Sequence, residues 1–267
     1  MAFRVTAPLF RAIICVYGYN SAIMPITTIF FDLGSTLIYC KDPWPPFYER
    51  ADRELTRALN EAGIPVDSAT FYAEFGSFLD SYYVRRGNDP VEVTTSVALE
   101  ELLAQKGFRS ISPVLLRQAL DALYAVTQQN WFLEADALPT LETLRQRRYA
   151  LGLISNTSDD MNVQQLVDRW GLRPYFEFIV TSAGCGIRKP DRRIFQLALD
   201  HFGIRPEAAV MVGDTPEADI QGANDLGIHS IWITRRSEKT DPAPARPDAT
   251  IRTLEEIPAL LARMDSY

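Results

Sequence analysis

Cysteine and histidine are scarce in this chain, and neither is arranged for chemistry. Three cysteines, Cys15, Cys40 and Cys185, are scattered through 267 residues. Their odd number and the lack of CxxC spacing exclude a disulfide framework and a zinc site, and point to a reducing cytoplasm. The two histidines, His201 and His229, stand apart from every polar cluster described below. No apolar run approaches the ~18 residues of a membrane span, and no internal repeat is present. Excess positive charge is missing too. The formal net charge of −7 argues against a sequence-independent grip on nucleic acid or an anionic membrane. What remains is ordinary for a globular protein of one or two domains: 47% hydrophobic and 23% charged residues.

Residues 1–24 read as a disordered N-terminal extension, in the sense that nothing in them specifies packing. They hold Arg4 and Arg11, no acid, and the apolar stretch AIICVYGY; a signal or transit segment, or a start set too early before Met24-Pro25, are the alternatives. TTIFF then forms a good buried strand ending on Asp32. Lys41–Pro46 is too rich in proline for a helix and reads as a stiff linker. Four helical patterns follow. The first carries Phe47, Ala51, Leu55, Leu59 and Ala62 and ends at Gly63; the second begins at Asp67 or Ser68. The third covers about 91–106, and the fourth starts at Ser112-Pro113. Tyr82, Tyr83, Arg85, Arg86 and Asn88 read as a solvated helix terminus.

From Pro139 onward strands alternate with helices: YALGLIS, FEFIVTS, AAVMVG and HSIWIT are the strands, and TLEEIPALLARM is the last helix. That alternation implies a parallel sheet covered on both faces and joined by right-handed crossovers. The fold class is therefore α/β: a Rossmann-like core from residues 25–42 and 133–267, with an all-helical segment inserted over 43–132.

Four polar clusters fall at or beside strand ends. They are Asp32 with Gly34, then Ser155-Asn156, then Lys189-Pro190-Asp191, then Gly213-Asp214 through Asp219. The carboxyl ends of parallel strands share one edge, so these residues can converge. Singly, each has a blander role as a turn former, helix cap or solvated lysine. Together they make coherent chemistry. Three carboxylates against one ammonium leave two negative charges, and carboxylates without His or Cys select a hard cation such as Mg²⁺. A carboxylate nucleophile, a divalent ion and a lysine describe phosphoryl transfer through an aspartyl-phosphate.

In this order and placement the motifs resemble those of the haloacid dehalogenase-like (HAD) hydrolase superfamily, with a helical, C1-type cap inserted after the first motif. The resemblance spans about 26–260. It implies that Asp32 is the nucleophile and that Asp32, the Gly34 carbonyl, Asp214 and Asp219 serve a Mg²⁺ site. It also implies that Ser155 and Lys189 hold the phosphoryl group, that Asn156 lines the substrate-binding pocket, that Lys189 restrains Asp32, and that Thr36 supports the loop. The implied partner is a small phosphorylated metabolite, with no nucleic acid and no membrane.

Position 34 departs from the pattern. Phosphatases of this superfamily usually carry a second Asp there as general acid and base, and glycine has no such group. General acid–base help is worth ~10²–10⁴ in rate. Three readings follow: a Mg²⁺-dependent phosphatase biased to good leaving groups, a haloacid dehalogenase, or a catalytically weak binding or regulatory member. A phosphonate-cleaving enzyme would need an insert lysine, for which only Lys106 and Lys41 offer themselves.

Overall fold

The computed structural model describes residues 25–86, 89–236 and 240–264. The expected extension 1–24, Asn88 and the side chains of Tyr83, Arg85 and Arg86 lie outside the described residues. The fold is organised around β1 (Thr28–Phe31), every residue of which is buried. Alternate side chains of a strand point to opposite faces, and here each face is apolar. Ile29 and Phe31 join the core beneath one face, whereas Phe30 joins the core on the other. A strand buried on both faces needs this continuous run, and Asp32 ends it.

β2 (Ile38–Cys40) and β3 (Trp131–Leu133) form a separate antiparallel ribbon, with Cys40 opposite Trp131. Between them lie α1 (Pro45–Glu61), α2 (Phe71–Arg86), α3 (Thr95–Gln105) and α4 (Pro113–Thr127). These helices pack on each other around Leu55, Leu59, Phe71, Leu99, Leu103 and Leu120, an apolar cluster of their own. The rest alternates: α5 (Ala137–Gln146), β4 (Ala150–Ser155), α6 (Asp160–Arg169), β5 (Phe178–Thr181), α7 (Ser182–Cys185), α8 (Arg192–Phe202), β6 (Ala209–Gly213), α9 (Gln221–Asn224), β7 (His229–Ile233), β8 (Ala249–Ile251) and α10 (Ile257–Met264). The six-stranded sheet runs β5-β4-β1-β6-β7-β8, and each neighbouring pair is parallel. The chain leaves β1 toward β4 and β5, then returns to lay β6 on the other side. The strand order thus reverses at β1, where open α/β sheets form their crevice.

Four expectations need correction. Pro45 and Pro46 open α1 instead of preceding it, because proline at the first helical turn gives up only an amide that would be unpaired anyway. The third helix begins at Thr95, not 91, since residues 91–94 are extended and Val91 bridges to Ile187. EADIQGANDLG opens as a π-helical turn over Pro216–Ile220 before the short α9. Finally, β8 adds a sixth strand over Ala249–Ile251, a stretch before the last helix to which the sequence reading assigned no element.

Candidate active site

Asp32 continues the β1 ladder for one bond, its amide donating to the Val212 carbonyl at 2.9 Å, and its side chain then turns into a cleft. Asp32, Gly34, Ser155, Asn156, Lys189, Asp214 and Asp219 all border one cavity of 1260 Å³. All seven residues singled out from the sequence therefore meet. Ser155 reaches it as the last residue of β4, and Asp214 as the first residue past β6.

Lys189 is the electrostatic hub. Its Nζ lies 2.7 Å from Asp32 Oδ1 and 2.7 Å from Asp219 Oδ1, and donates to the Ile154 carbonyl at 2.6 Å. The lysine is 4% exposed and Asp219 1%. Burial pulls the ammonium toward neutrality, but the two carboxylates outweigh it and hold Lys189 above its ordinary value. Lys189 is placed by Asn156, whose amide pairs with the Lys189 main chain in both directions: it accepts from the amide N–H at 2.8 Å and donates to the carbonyl at 3.0 Å. Asn156 thus borders the cavity with its hydrogen bonds directed into the loop. Asp219 is anchored by the Thr215 amide at 3.0 Å. It also lies across Gly213, where a Cβ would stand 2.3 Å from the Asp219 carboxyl carbon, so only glycine fits.

Asp32, Asp214 and Asp219 each offer an oxygen within 4.8 Å of the others. Crowding has a price in proton affinity. Burial first, then Asp219, push the Asp32 carboxyl up to about 6 against the opposing pull of Lys189. Burial, then Asp32 and Asp219, push Asp214 up to about 7. One ammonium does not neutralise three carboxylates, and an all-oxygen donor set with residual negative charge fits a hard divalent cation.

Gly34 is not in the left-handed region; the positive φ of 58° falls on Ser35. What stands opposite it is an indole: a Cβ at Gly34 would meet Trp131 Cη2 at 3.4 Å, an ordinary van der Waals contact. Trp131 is the one aromatic side chain among the described residues lining the cavity. Its ring packs edge-on against Trp44, which stacks on Tyr48 with centroids 5.2 Å apart. Thr36 is fully buried beneath the loop, and its hydroxyl makes no hydrogen bond among the described residues. Lys106 pairs with Glu74, and neither it nor Lys41 borders the cavity among the described residues.

Fold and site define a class: a doubly wound α/β protein with a lysine-bridged acidic site where its strand order reverses. The chain belongs to the haloacid dehalogenase-like hydrolases, whose family model matches residues 26–227. It is 35% identical over 146 residues to a phosphoserine phosphatase of Thermus thermophilus, covering 55% of this chain and 57% of that protein. It is 29% identical over 225 residues to a glyceraldehyde 3-phosphate phosphatase of Methanopyrus kandleri, covering 84% and 90%. A solved 2-haloacid dehalogenase from Pseudomonas syringae superposes with a TM-score of 0.67 at 29% identity, covering 90% of this chain and 99% of the other. No helix among the described residues is long and apolar enough to cross a membrane.

Sequence reasoning missed Trp131 and Arg188, which line the cavity, and Glu92 and Ser182, which lie off it and are joined to Arg188 by hydrogen bonds. Val91-Glu92-Val93-Thr94, after a proline, is an alternating β-like stretch, a usable signal for an extended segment. Trp131 sits in a three-residue strand too short to show a period.

Proposed function

We propose that the chain is a Mg²⁺-dependent phosphatase of small phosphorylated metabolites, working through an aspartyl-phosphate on Asp32. The observation that carries this reading is the triad Asp32, Asp214 and Asp219 gathered within 4.8 Å, with Lys189 bridging Asp32 and Asp219. Asp32 Oδ attacks phosphorus, the bond from phosphorus to the leaving oxygen breaks, and that oxygen leaves with the electron pair. Water then attacks phosphorus, releasing inorganic phosphate and restoring the carboxylate. Asp32, Asp214 and the Gly34 carbonyl would hold Mg²⁺, with Asp219 supporting it; when bound, the ion would offset the charge of the acids and of the phosphoryl oxygens. Ser155 and Lys189 bind those oxygens, and Asn156 fixes the loop that presents Lys189.

The helical insert over 43–132 acts as a cap that excludes water and chooses the substrate. The phosphatase names of the curated relatives support the substrate class. The cytoplasm is the proposed compartment, consistent with free thiols at Cys40 and Cys185. With Gly34 carrying no proton donor, turnover favours acyl and aryl phosphates over alkyl esters. The likeness to a 2-haloacid dehalogenase keeps one second reading, halide displacement by Asp32. A phosphate-release screen with and without Mg²⁺, using Asp32→Asn as blank, decides. Release that needs both metal and Asp32 upholds the phosphatase; halide release without metal overturns it.

A further inference from the structure

The helical insert meets the core beside the phosphate-holding groups. Pro90–Thr94 runs extended against Gly186–Arg188. The Arg188 amide donates to the Pro90 carbonyl at 2.8 Å, and the Glu92 amide to the Gly186 carbonyl at 3.0 Å. Between these bonds the Glu92 side chain turns inward and is buried. Its Oε2 accepts from the Arg188 guanidinium and from Ser182 Oγ, the latter at 2.6 Å. Ser182, fully buried, accepts in turn from the Thr157 amide at 2.8 Å. A hydroxyl has one proton. Given to the carboxylate, it leaves a lone pair for the Thr157 N–H. An unbroken chain therefore runs from Arg188 through Glu92 and Ser182 to Thr157. One end adjoins Lys189, and the other lies two residues from Ser155.

We propose that Glu92 and Ser182 are positioning residues that set both phosphate-holding loops only while the insert is seated on the core. The inference rests on the phosphatase reading for what those loops hold. Glu92 belongs to the insert and Ser182 to the core, so lifting the insert removes the carboxylate from the chain. Arg188 then loses that partner and its guanidinium turns to water, so nothing ties it to Ser182. Ser182 has a second acceptor ready, the Thr157 carbonyl at 2.9 Å, so its proton is satisfied while its lone pair turns away from the Thr157 amide. The chain is thus made or broken as a unit, and the sites of Ser155 and Lys189 follow it.

The test compares Glu92→Ala, Glu92→Gln and Ser182→Ala in the full chain with Mg²⁺. Two quantities are read: inhibition by inorganic phosphate, and backbone hydrogen exchange in peptides spanning 155–159 and 182–189. Glu92→Ala is expected to weaken phosphate inhibition and raise KM for an aryl phosphate by about tenfold, with a smaller change in kcat. Exchange in both peptides quickens while strands β1 and β6 keep their protection, and Glu92→Gln, which retains an acceptor oxygen, falls between. Faster exchange confined to residues 90–95, with the phosphate constant unchanged, overturns the proposal. Should Glu92→Ala not fold, Ser182→Ala cuts the same chain one bond later and is judged by the same two readouts. Absence of phosphate release by the wild type refutes the phosphatase reading, whereas exchange at 155–159 still decides the coupling: quickened upholds it, unchanged refutes it.

Discussion

The two walls of the cavity are built by different rules. The wall at the sheet edge is charged and buried: Asp32, Asp219 and Lys189 interlock, and each is fixed by main-chain or side-chain partners. The wall toward the insert presents Trp131 over Gly34, backed by Trp44 and Tyr48. Asp89 and Pro90 of the insert line the cavity as well, and position 34 itself supplies no proton donor. The first wall suits a phosphoryl group whatever ester it belongs to. In the proposed phosphatase the second would face the part of the substrate that differs between esters. Chemistry and selectivity would then fall to separate parts of the chain, one in the core and one at the ribbon that joins insert to core.

Breaking the charged wall has the largest expected effect. Asp32→Asn should lower kcat for phosphate release by ~10⁴-fold or more, since removal of a nucleophile leaves only binding and electrostatics. Lys189→Met should come next. It strips the shared counter-ion from two buried carboxylates, and losing one partner of a buried ion pair destabilises by about 3 kcal/mol, read as a lower midpoint in denaturant unfolding. The aromatic wall is tested by Gly34→Asp with and without Trp131→Ala. The double variant should turn over alkyl phosphates up to ~10²-fold faster than Gly34→Asp alone, because the indole no longer crowds the new carboxyl. Equal alkyl and aryl rates in the wild type would show that another group donates the proton.

The charged wall also sets a pH dependence. Asp32 and Asp214 have folded-state values raised above the unfolded carboxylate, so they favour the folded state below pH ~4. That contribution is lost as pH rises through about 6 and about 7. Thermal midpoints without metal should therefore fall across this window, and Mg²⁺ should restore them most at its upper end. Midpoints that rise over the same range would contradict the crowding of carboxylates. The smallest effect belongs to the turn between the walls. Ser35 holds φ at 58°, a conformation that penalises a side chain, so Ser35→Gly should stabilise the fold by about 0.5 kcal/mol after the added unfolded-state entropy is counted.

Asp32 and Asp214 were legible in the sequence because they directly follow buried strands, whereas Lys189 and Asp219 lie further along the loops and were read from the order of the motifs. TTIFF, LGLIS and AVMVG are continuous apolar runs, and a polar residue directly after such a run is confined to the sheet edge. The helical insert was legible from its 3.6-residue spacing, for the same reason that a helix must bury one stripe. The aromatic wall and the insert–core junction were not. β2 and β3 have three residues each, and their pairing joins positions separated by the whole insert, which no local pattern encodes. Val91–Thr94 carries an alternating pattern that a neighbouring helix masks, and its partner strand segment lies near residue 187. A glycine after a strand end can serve either a positive φ or close packing, and the sequence does not choose between them. The structure gives the positive φ to Ser35 and uses Gly34 for contact with an indole, a distinction that depends on a residue far along the chain.

The most direct test is the mass of the acid-quenched protein during turnover of an aryl phosphate with Mg²⁺. One added phosphoryl group, mapped to the peptide containing Asp32 and absent in Asp32→Asn, is the predicted result. Phosphate release with an unmodified Asp32 peptide, or with the phosphoryl group on another residue, would contradict the account.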